Sequence, residues 1–270
     1  MMSRQRAEFA TQADLALGER FLAEGHVVLP VEDSAALDRL RVRVAQLAAA
    51  HLGQPEPADI TVFLETTHHH VDAQGLNALR LAVIDGINAE PWARPGYFAT
   101  ARRAIESLVG NELAMQLRLN LSIQLPGDSS SLLPVHADVW NGDSPYEVVL
   151  WLPLVNCRGS MSMFLLPPEA DARHASRMAE HPSAEDLFRA IEPDLKWLKM
   201  EYGQALLFSQ NLMHGNRVNT EPATRWSFNC RFKGLFTPYA DKRLGDFFEP
   251  ITMRPATRLG AAYRLPGVDG

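Results

Sequence analysis

The sequence predicts an α+β fold, mostly β with flanking helices, in which a helical layer precedes a rolled β sandwich. Apolar residues recur at a helical period through the first 110 residues, and from Met115 the period changes to two, which is typical of strands. Strand-like runs separated by turn residues then continue to about residue 240. With 270 residues, 46% of them hydrophobic, the chain can bury a large core, and we expect one domain over 1–270.

The N-terminal layer, at 1–110, is predicted to be mainly helical. Leu37, Leu40 and Val44 follow a 3.6-residue spacing, which places them on one helix face. The segment 53–75 contains Pro55 and Pro57 and shows no clear period, so we expect it to be irregular. Helices are predicted at 12–24, 34–52, 76–88 and 97–110, with a short strand at Val27–Pro30.

The β core, at 115–240, begins with the clearest alternation in the chain. From Met115 to Leu125 every odd-numbered residue is apolar and every even-numbered residue is polar. The run 225–233 alternates in the same way, and we expect its polar face to line a solvated barrel mouth and its aromatic face to pack under helices. Further strands are predicted at 146–155, 160–166, 197–202, 204–210 and 225–236, with a helical insertion at 170–191.

Charge and composition narrow the classes of partner. A net charge of −6 disfavours nucleic acid and anionic membrane, and no run approaches the roughly 20 apolar residues of a membrane span. Cys157 and Cys230 lie in apolar runs, so we interpret them as buried free thiols rather than a disulfide. We therefore expect a cytoplasmic protein that acts on a small-molecule substrate, with its oligomeric state left open.

His136, Asp138 and His214 are the candidate metal ligands. Two neutral imidazoles and one carboxylate occupy one face of an octahedral metal and leave three positions open. A non-haem Fe(II) oxygenase needs those open positions to bind a keto acid and dioxygen. A His-x-Asp tripeptide is a weak signal alone, but here a second histidine follows an apolar strand, which predicts an Fe(II) site.

Arg225 and Ser227 are the candidate anchors for the co-substrate. When 2-oxoglutarate chelates a metal through its keto and C1 carboxylate oxygens, its C5 carboxylate needs a partner elsewhere. A guanidinium offers that carboxylate a planar fork, and a hydroxyl two residues along a strand lies on the same face. Arg217 and Arg231 are the rival anchors.

The pattern His-x-Asp, a distant His and Arg-x-Ser resembles the Fe(II)/2-oxoglutarate-dependent dioxygenases. Residues 21–28 and the turn His214-Gly215-Asn216 resemble their phytanoyl-CoA hydroxylase-like branch. The runs 136–153 and 225–239 are similar, more narrowly, to oxygenases of bacterial carbohydrate and aminoglycoside biosynthetic clusters. The resemblance covers about residues 15–240 and implies a double-stranded β-helix (jelly-roll, cupin-like) core, with Fe(II), 2-oxoglutarate and O2 as cofactors.

The predicted function is an Fe(II)/2-oxoglutarate-dependent oxygenase that hydroxylates a small polar metabolite, and desaturation, epimerisation and ketone formation share the same site. Asp138 argues against a halogenase, in which a small residue at this position would leave room for chloride. A cupin-type dioxygenase without a keto-acid co-substrate is one alternative, but it would not need Arg225 and Ser227. A non-catalytic sugar-binding jelly roll is another, and the complete ligand set argues against it.

The predicted substrate is a sugar or amino sugar, with an amino acid or peptide-like metabolite as the second choice. Many polar residues on the strand faces suit a hydroxylated molecule better than a lipid chain. The candidate substrate residues are Asn229, Arg231, Arg118 and Trp140. Two of them have an alternative interpretation, because Arg231 could be a solvated rim residue and Trp140 a packing residue.

Three further sites complete the prediction. Asn120 and Gln124 share the polar face of 115–125, so each is expected to bond either 2-oxoglutarate or solvent. The triplet His68–His70 is interpreted as a solvated loop rather than a second metal site, because three adjacent residues cannot all point one way on a strand.

Overall fold

The structure is a computed structural model that describes residues 9–266. Its helices are α1 (Gln12–Glu24), α2 (Ser34–His51), α3 (Ile60–Glu65), α4 (Ala73–Asn88), α5 (Ala93–Ala99), α6 (Arg102–Val109), α7 (Pro168–Ala175), α8 (Ala184–Ile191) and α9 (Pro255–Ala262). Its strands are β1 (His26–Pro30), β2 (Leu113–Gln116), β3 (Asn120–Gln124), β4 (Glu147–Pro153), β5 (Phe164–Leu165), β6 (Lys196–Trp197), β7 (Gln204–Ser209), β8 (His214–Gly215), β9 (Arg225–Gly234) and β10 (Phe248–Thr252).

A large antiparallel sheet carries most of the strands, in the order β1-β7-β4-β9-β2-β10, with β3 also paired to β9. The ten-residue β9 is its central strand, since it pairs with β4 on one side and with β2 and β3 on the other. The polar and apolar residues of β9 alternate, so one face points into the fold's cavity and the other toward the helices.

The helices before β2 cover the apolar face of this sheet. Trp226, Phe228 and Phe232 of β9 are fully buried there. The indole Nε1 of Trp226 donates a hydrogen bond to the carbonyl oxygen of Leu64 in α3, and the ring of Tyr97 in α5 packs edge-on against Phe228. These contacts confirm that the aromatic face of β9 packs under helices.

A small sheet, in the order β6-β5-β8, lies opposite the large one. An antiparallel bridge between His136 and His214 adds the segment around residue 136 to the free edge of β8. Residues of both sheets line one cavity, as expected of two sheets facing each other in a jelly roll. The segment 168–191 between β5 and β6 holds α7 and α8, in the region where a helical insertion was expected.

The strand predicted at 115–125 is instead two strands, and this is a correction. Met115 pairs with Phe232 but Asn120 pairs with Asn229, so the edge strand gains two residues relative to β9. The side chain of Asn88 in α4 explains the break, because it bonds both the backbone N–H and the carbonyl of Leu119 and takes that residue out of the ladder.

Other differences are local. The predicted helix at 97–110 is two helices, α5 and α6, and the segment expected to be irregular at 53–75 contains α3 and the start of α4. The strands expected at 160–166 and 197–202 are reduced to the two-residue strands β5 and β6. The strand β10 and helix α9 were not predicted.

Two compositional predictions can be compared with the structure. Cys157 and Cys230 are buried and unpaired, as expected, and burial raises the pKa of each thiol to about 12. Among the described residues, no helix combines the length and apolarity required to cross a membrane.

Candidate active site

The structure brings the three predicted metal ligands together. One donor atom from each of His136, Asp138 and His214 lies within 4.8 Å of the others. The Oδ1 atom of Asp138 is 3.3 Å from Nε2 of His136 and 3.7 Å from Nε2 of His214. These three atoms converge on one point, which is the geometry a single metal ion requires.

The local backbone fixes which nitrogen of each histidine faces that point. The Nδ1 atom of His136 is 2.8 Å from the carbonyl oxygen of Pro134, and Nδ1 of His214 is 2.8 Å from that of Leu212. Each Nδ1 therefore carries the proton and donates it, which leaves the Nε2 lone pair free for a metal. The backbones of the two histidines are joined by hydrogen bonds of 3.0 and 2.8 Å, which hold the two residues side by side.

Electrostatics favour the metal-binding form of two of the three ligands, His214 and Asp138. Burial, with repulsion from His136, lowers the pKa of His214 to about 4, so this imidazole is neutral at pH 7. Burial alone would raise the pKa of Asp138, but the hydrogen bond with His136 and the charge of Arg231 hold it well below its usual value. Burial also opposes the charge on His136, yet its contacts with Asp138 raise its pKa overall.

Asp138 is held by an arginine from the large sheet. The Nη2 atom of Arg231 donates a 2.7 Å hydrogen bond to Oδ2 of Asp138, and its Nε lies 3.2 Å from Oδ1 of Asp143. Arg231 was predicted to be a substrate or rim residue. Arg231 does line the inner cavity, and its guanidinium is also engaged by the carboxylates of Asp138 and Asp143, a contact that the sequence did not indicate.

The inner cavity, of about 240 Å³, connects the metal triad with Arg225. Arg225 is buried, and burial lowers its pKa to about 10, so it keeps its charge at pH 7. Its guanidinium donates to Ser122 Oγ at 2.8 Å and weakly to the Ser162 carbonyl at 3.4 Å, and no carboxylate of residues 9–266 pairs with it. The residues lining the inner cavity are Asn120, Ser122, Leu133, His136, Asp138, Val149, Trp151, Met163, Phe208, His214, Gly215, Asn216, Arg225, Asn229 and Arg231.

Several buried polar atoms near Arg225 lack a hydrogen-bond partner among the described residues. They are Nε of Arg225 and the hydroxyl oxygens of Ser227 and Ser162. Buried polar atoms are nearly always bonded, so a group of them around one cation indicates a missing polar ligand. The guanidinium of Arg225 lines the inner cavity and fits a carboxylate, whereas Ser162 and Ser227 are not among the residues that line it.

The remaining predicted residues divide between the cavity and the surface. Asn120 and Asn229 line the inner cavity and are bonded to each other at 3.2 Å. Gln124 is buried beside them but donates to the backbone carbonyl of Arg217 and does not line the cavity. Arg118 is exposed and paired with Asp85, so its predicted place in the substrate pocket is wrong.

Trp140, Arg217 and the histidine triplet lie outside the inner cavity. Trp140 follows Asp138 in a 3-10 helix and is 45% exposed. Arg217, a rival anchor, forms an ion pair with Glu185, its Nη1 lying 2.6 Å from Oε2. The triplet at 68–70 begins in a short 3-10 helix rather than a loop, and His68 Nδ1 is 2.9 Å from the hydroxyl of Thr224.

Sequence reasoning missed Ser162, Asp143 and Gln210. Ser162 and Asp143 carry no motif; Asp143 lies in a predicted turn, and Ser162 lies in the predicted strand 160–166, most of which is not a strand in the structure. Gln210 is fully buried at the end of β7, and its position just before the His214 turn was the one available signal. Ser122 could have been found, because it lies between Asn120 and Gln124 on the same polar strand face.

A second space, the outer cleft, adjoins the metal site and has a volume of about 360 Å³. It shares Leu133, His136, Asp138 and Arg231 with the inner cavity, so the two spaces meet at His136 and Asp138. Its other lining residues are Pro134, Val135, Asn141, Asp143 and Lys242. The charges in it are paired, with Lys242 on Asp143 and Arg231 between Asp143 and Asp138.

Comparison with solved structures identifies the fold. The carbocyclase SnoK from nogalamycin biosynthesis, a non-heme α-ketoglutarate-dependent protein, has a TM-score of 0.55 at 15% identity, over 91% of this chain and 98% of its own. HygX from Streptomyces hygroscopicus, with nickel and 2-oxoglutarate bound, has a TM-score of 0.54 at 15% identity, over 85% and 89%. The non-heme monooxygenase ThoJ, with nickel, has a TM-score of 0.52 at 17% identity, over 89% and 85%.

The chain has the jelly-roll fold of these non-heme oxygenases. The double-stranded β-helix expected from the motifs is therefore confirmed. A further structure of HygX holds hygromycin B together with nickel and 2-oxoglutarate. No protein-family model matches the sequence, and no curated protein matches it.

Proposed function

We propose that this protein is an Fe(II)/2-oxoglutarate-dependent oxygenase. The proposal rests on the inner cavity, because each of its two ends presents groups that are suited to bind a ligand. At one end lie three convergent metal-ligand atoms, and at the other lies the buried guanidinium of Arg225, which no carboxylate of the described part of the chain contacts. An isolated buried charge is strongly unfavourable, so a dianion between the two ends would complete both.

Each end has a defined task in this proposal. His136, Asp138 and His214 would hold Fe(II), which together with 2-oxoglutarate and O2 supplies the oxidising chemistry. Arg225 would bind the C5 carboxylate of 2-oxoglutarate through its planar fork, and the buried hydroxyl of Ser227, which has no partner among the described residues, would add a hydrogen bond. A cupin-type dioxygenase without a keto acid would leave Arg225 buried and unpaired, so the anchor favours the 2-oxoglutarate-dependent class.

The substrate we propose is a sugar or amino sugar, bound in the outer cleft. The acidic and basic groups of that cleft are paired with one another, which disfavours a strongly charged ligand. The Asn141 amide lines the cleft and can both donate and accept, so it suits hydroxyl or amino groups. HygX, which binds hygromycin B, has the same fold. An amino acid or peptide-like metabolite is the second candidate.

Metal binding provides the first test. Anaerobic addition of Fe(II) and then 2-oxoglutarate to the purified protein should produce a visible metal-to-ligand charge-transfer band. His136→Ala, Asp138→Ala and His214→Ala should each remove most of this band, because each deletes one of three ligands. His69→Ala, which removes an exposed histidine outside the cavity, serves as the matched control. Full absorbance in all three ligand variants would refute the assignment.

Succinate release tests the substrate class. Sugars, amino sugars, amino acids and acyl thioesters are compared for stimulation above the uncoupled background. Stimulation by sugars or amino sugars that is lost in Asn141→Ala, with 2-oxoglutarate affinity unchanged, would support the outer cleft. Stimulation by acyl thioesters alone would refute the proposed substrate class.

A further inference from the structure

The Oδ2 atom of Asp138 is occupied by a protein group before any metal arrives. Arg231 Nη2 donates to it at 2.7 Å, whereas Oδ1 is the oxygen that faces the two histidine Nε2 atoms at 3.3 and 3.7 Å. We infer that Arg231 is a positioning residue, supported by Gln210, which restricts Asp138 to one metal-binding oxygen. The inference rests on the proposed metal site and assigns a role that the ligand motif itself does not contain.

Gln210 closes a ring of hydrogen bonds around Asp138. Its side-chain Oε1 accepts from Nε of Arg231 at 3.0 Å, and its backbone carbonyl accepts from the backbone N–H of Asp138 at 3.0 Å. The carboxylate of Asp138 and its own backbone are thus both tied to the same residue. Rotation of the carboxylate about its Cβ–Cγ bond would break the ring at Arg231.

The amide nitrogen of the Gln210 side chain is also held by hydrogen bonds. Its Nε2 atom donates to Oε2 of Glu147 at 2.8 Å and to the backbone carbonyl of Ser144 at 2.9 Å, and Oε1 of Glu147 accepts from the Ser144 N–H at 3.0 Å. All three residues are buried. A fully bonded buried network has few alternative arrangements, so Arg231 is held in place before the metal binds.

The consequence concerns the number of open metal positions. A carboxylate that offers one oxygen, with two imidazoles, leaves three positions of an octahedral ion free. A carboxylate that offers both oxygens would leave two. Outer partners that orient a metal ligand typically change metal affinity by roughly 10- to 100-fold, which sets the size of the expected effect.

The test compares Arg231→Gln and Arg231→Lys with the wild-type protein in anaerobic Fe(II) affinity, measured by competition with a chromogenic chelator. Arg231→Gln should weaken Fe(II) binding by roughly 10- to 100-fold. It should also shift the absorption maximum of the Fe(II)/2-oxoglutarate band, which a loss of packing alone would not do. Arg231→Lys keeps the charge but not the planar fork, so an intermediate affinity is expected. Arg217→Gln, which removes an arginine paired outside the cavity, is the matched control.

Each outcome decides between the two proposals. If the wild-type protein binds no Fe(II), the proposed function fails. If the wild-type protein binds Fe(II) and folded Arg231→Gln keeps both affinity and absorption maximum, the positioning role alone is refuted. Should Arg231→Gln not fold, Arg231→Lys and Gln210→Leu take its place. Wild-type affinity and spectrum in both would overturn the inference, and weakened binding in either would support it.

Discussion

Arg225→Lys is the change that most directly tests how the co-substrate is held. The guanidinium of Arg225 has two bonds to serine oxygens, an unpaired Nε and no carboxylate partner within the described residues. A lysine ammonium keeps the positive charge but cannot present two parallel N–H groups to one carboxylate. The substitution therefore removes about one charge-assisted hydrogen bond and leaves the metal ligands untouched.

The size of the effect follows from that one bond. A hydrogen bond to a charged group contributes about 1.5–3 kcal/mol, and every 1.4 kcal/mol is tenfold in affinity. The dissociation constant for 2-oxoglutarate should therefore rise by about 10- to 150-fold. The Fe(II) affinity measured without 2-oxoglutarate should stay near the wild-type value, because Arg225 contacts none of the three ligands in the structure.

Anaerobic titration of the Fe(II)-loaded protein with 2-oxoglutarate, followed by the charge-transfer band, measures this constant. Arg217→Lys is the control, since Arg217 pairs with Glu185 outside the inner cavity. If Arg225→Lys keeps the wild-type constant while Arg217→Lys raises it, the anchor is misassigned. Unchanged constants in both would mean that neither arginine binds the co-substrate.

Three further predictions concern stability and the metal site. Burial raises the pKa of the Glu147 carboxyl to about 7 in the folded protein. The protonated carboxyl therefore stabilises the folded state fully below its unfolded pKa of about 4.5, and this stabilisation is lost as the pH rises through about 7. In urea unfolding, the free energy of unfolding of Glu147→Gln should rise relative to that of the wild type by up to about 3 kcal/mol between about pH 5 and pH 8. A difference between the two proteins that does not change with pH would contradict this prediction. Tyr97→Phe removes a buried hydroxyl that donates to the Leu150 carbonyl, and should lower the free energy of unfolding by about 1–3 kcal/mol without changing Fe(II) affinity. Gly215→Ala would place a Cβ 2.8 Å from the backbone oxygen of Leu133, so we expect a loss of about 1–3 kcal/mol and weaker Fe(II) binding, neither of which Gly260→Ala should cause.

The metal triad could be predicted from sequence because its geometry is mostly local. His136 and Asp138 are separated by one residue, and each histidine Nδ1 bonds a carbonyl only two residues before it. The second histidine follows the end of a strand that the apolar run 205–208 already indicated. The bridge between the His136 and His214 backbones, in contrast, depends on the tertiary fold.

Arg231 and Ser162 could not be assigned in the same way, because their partners are far away in sequence. The contact of Arg231 with Asp138 spans 93 positions, and that of Arg225 with Ser162 spans 63. Alternation along β9 correctly placed Arg225 and Arg231 on one face, but periodicity carries no information on which acidic group meets which arginine.

The failure at Arg118 has a different physical cause. The strand face was assigned correctly, since Asn120 and Ser122 line the cavity as their spacing predicts. The side chain of Asn88, however, bonds the backbone of Leu119 and adds two residues to this edge of the sheet. A shift of two residues preserves the alternation while moving Arg118 out of the ladder.

Arg225 and Arg231 together show what distinguishes a ligand anchor from a structural residue. They are six positions apart on one face of β9 and both are largely buried. Arg231 meets the carboxylates of Asp138 and Asp143, so its charge is balanced by the protein itself. The guanidinium of Arg225 donates hydrogen bonds only to serine oxygens, and no carboxylate of the described residues balances its charge. Because a buried unpaired charge opposes folding, its retention in a cavity is best explained by an anion that binds there.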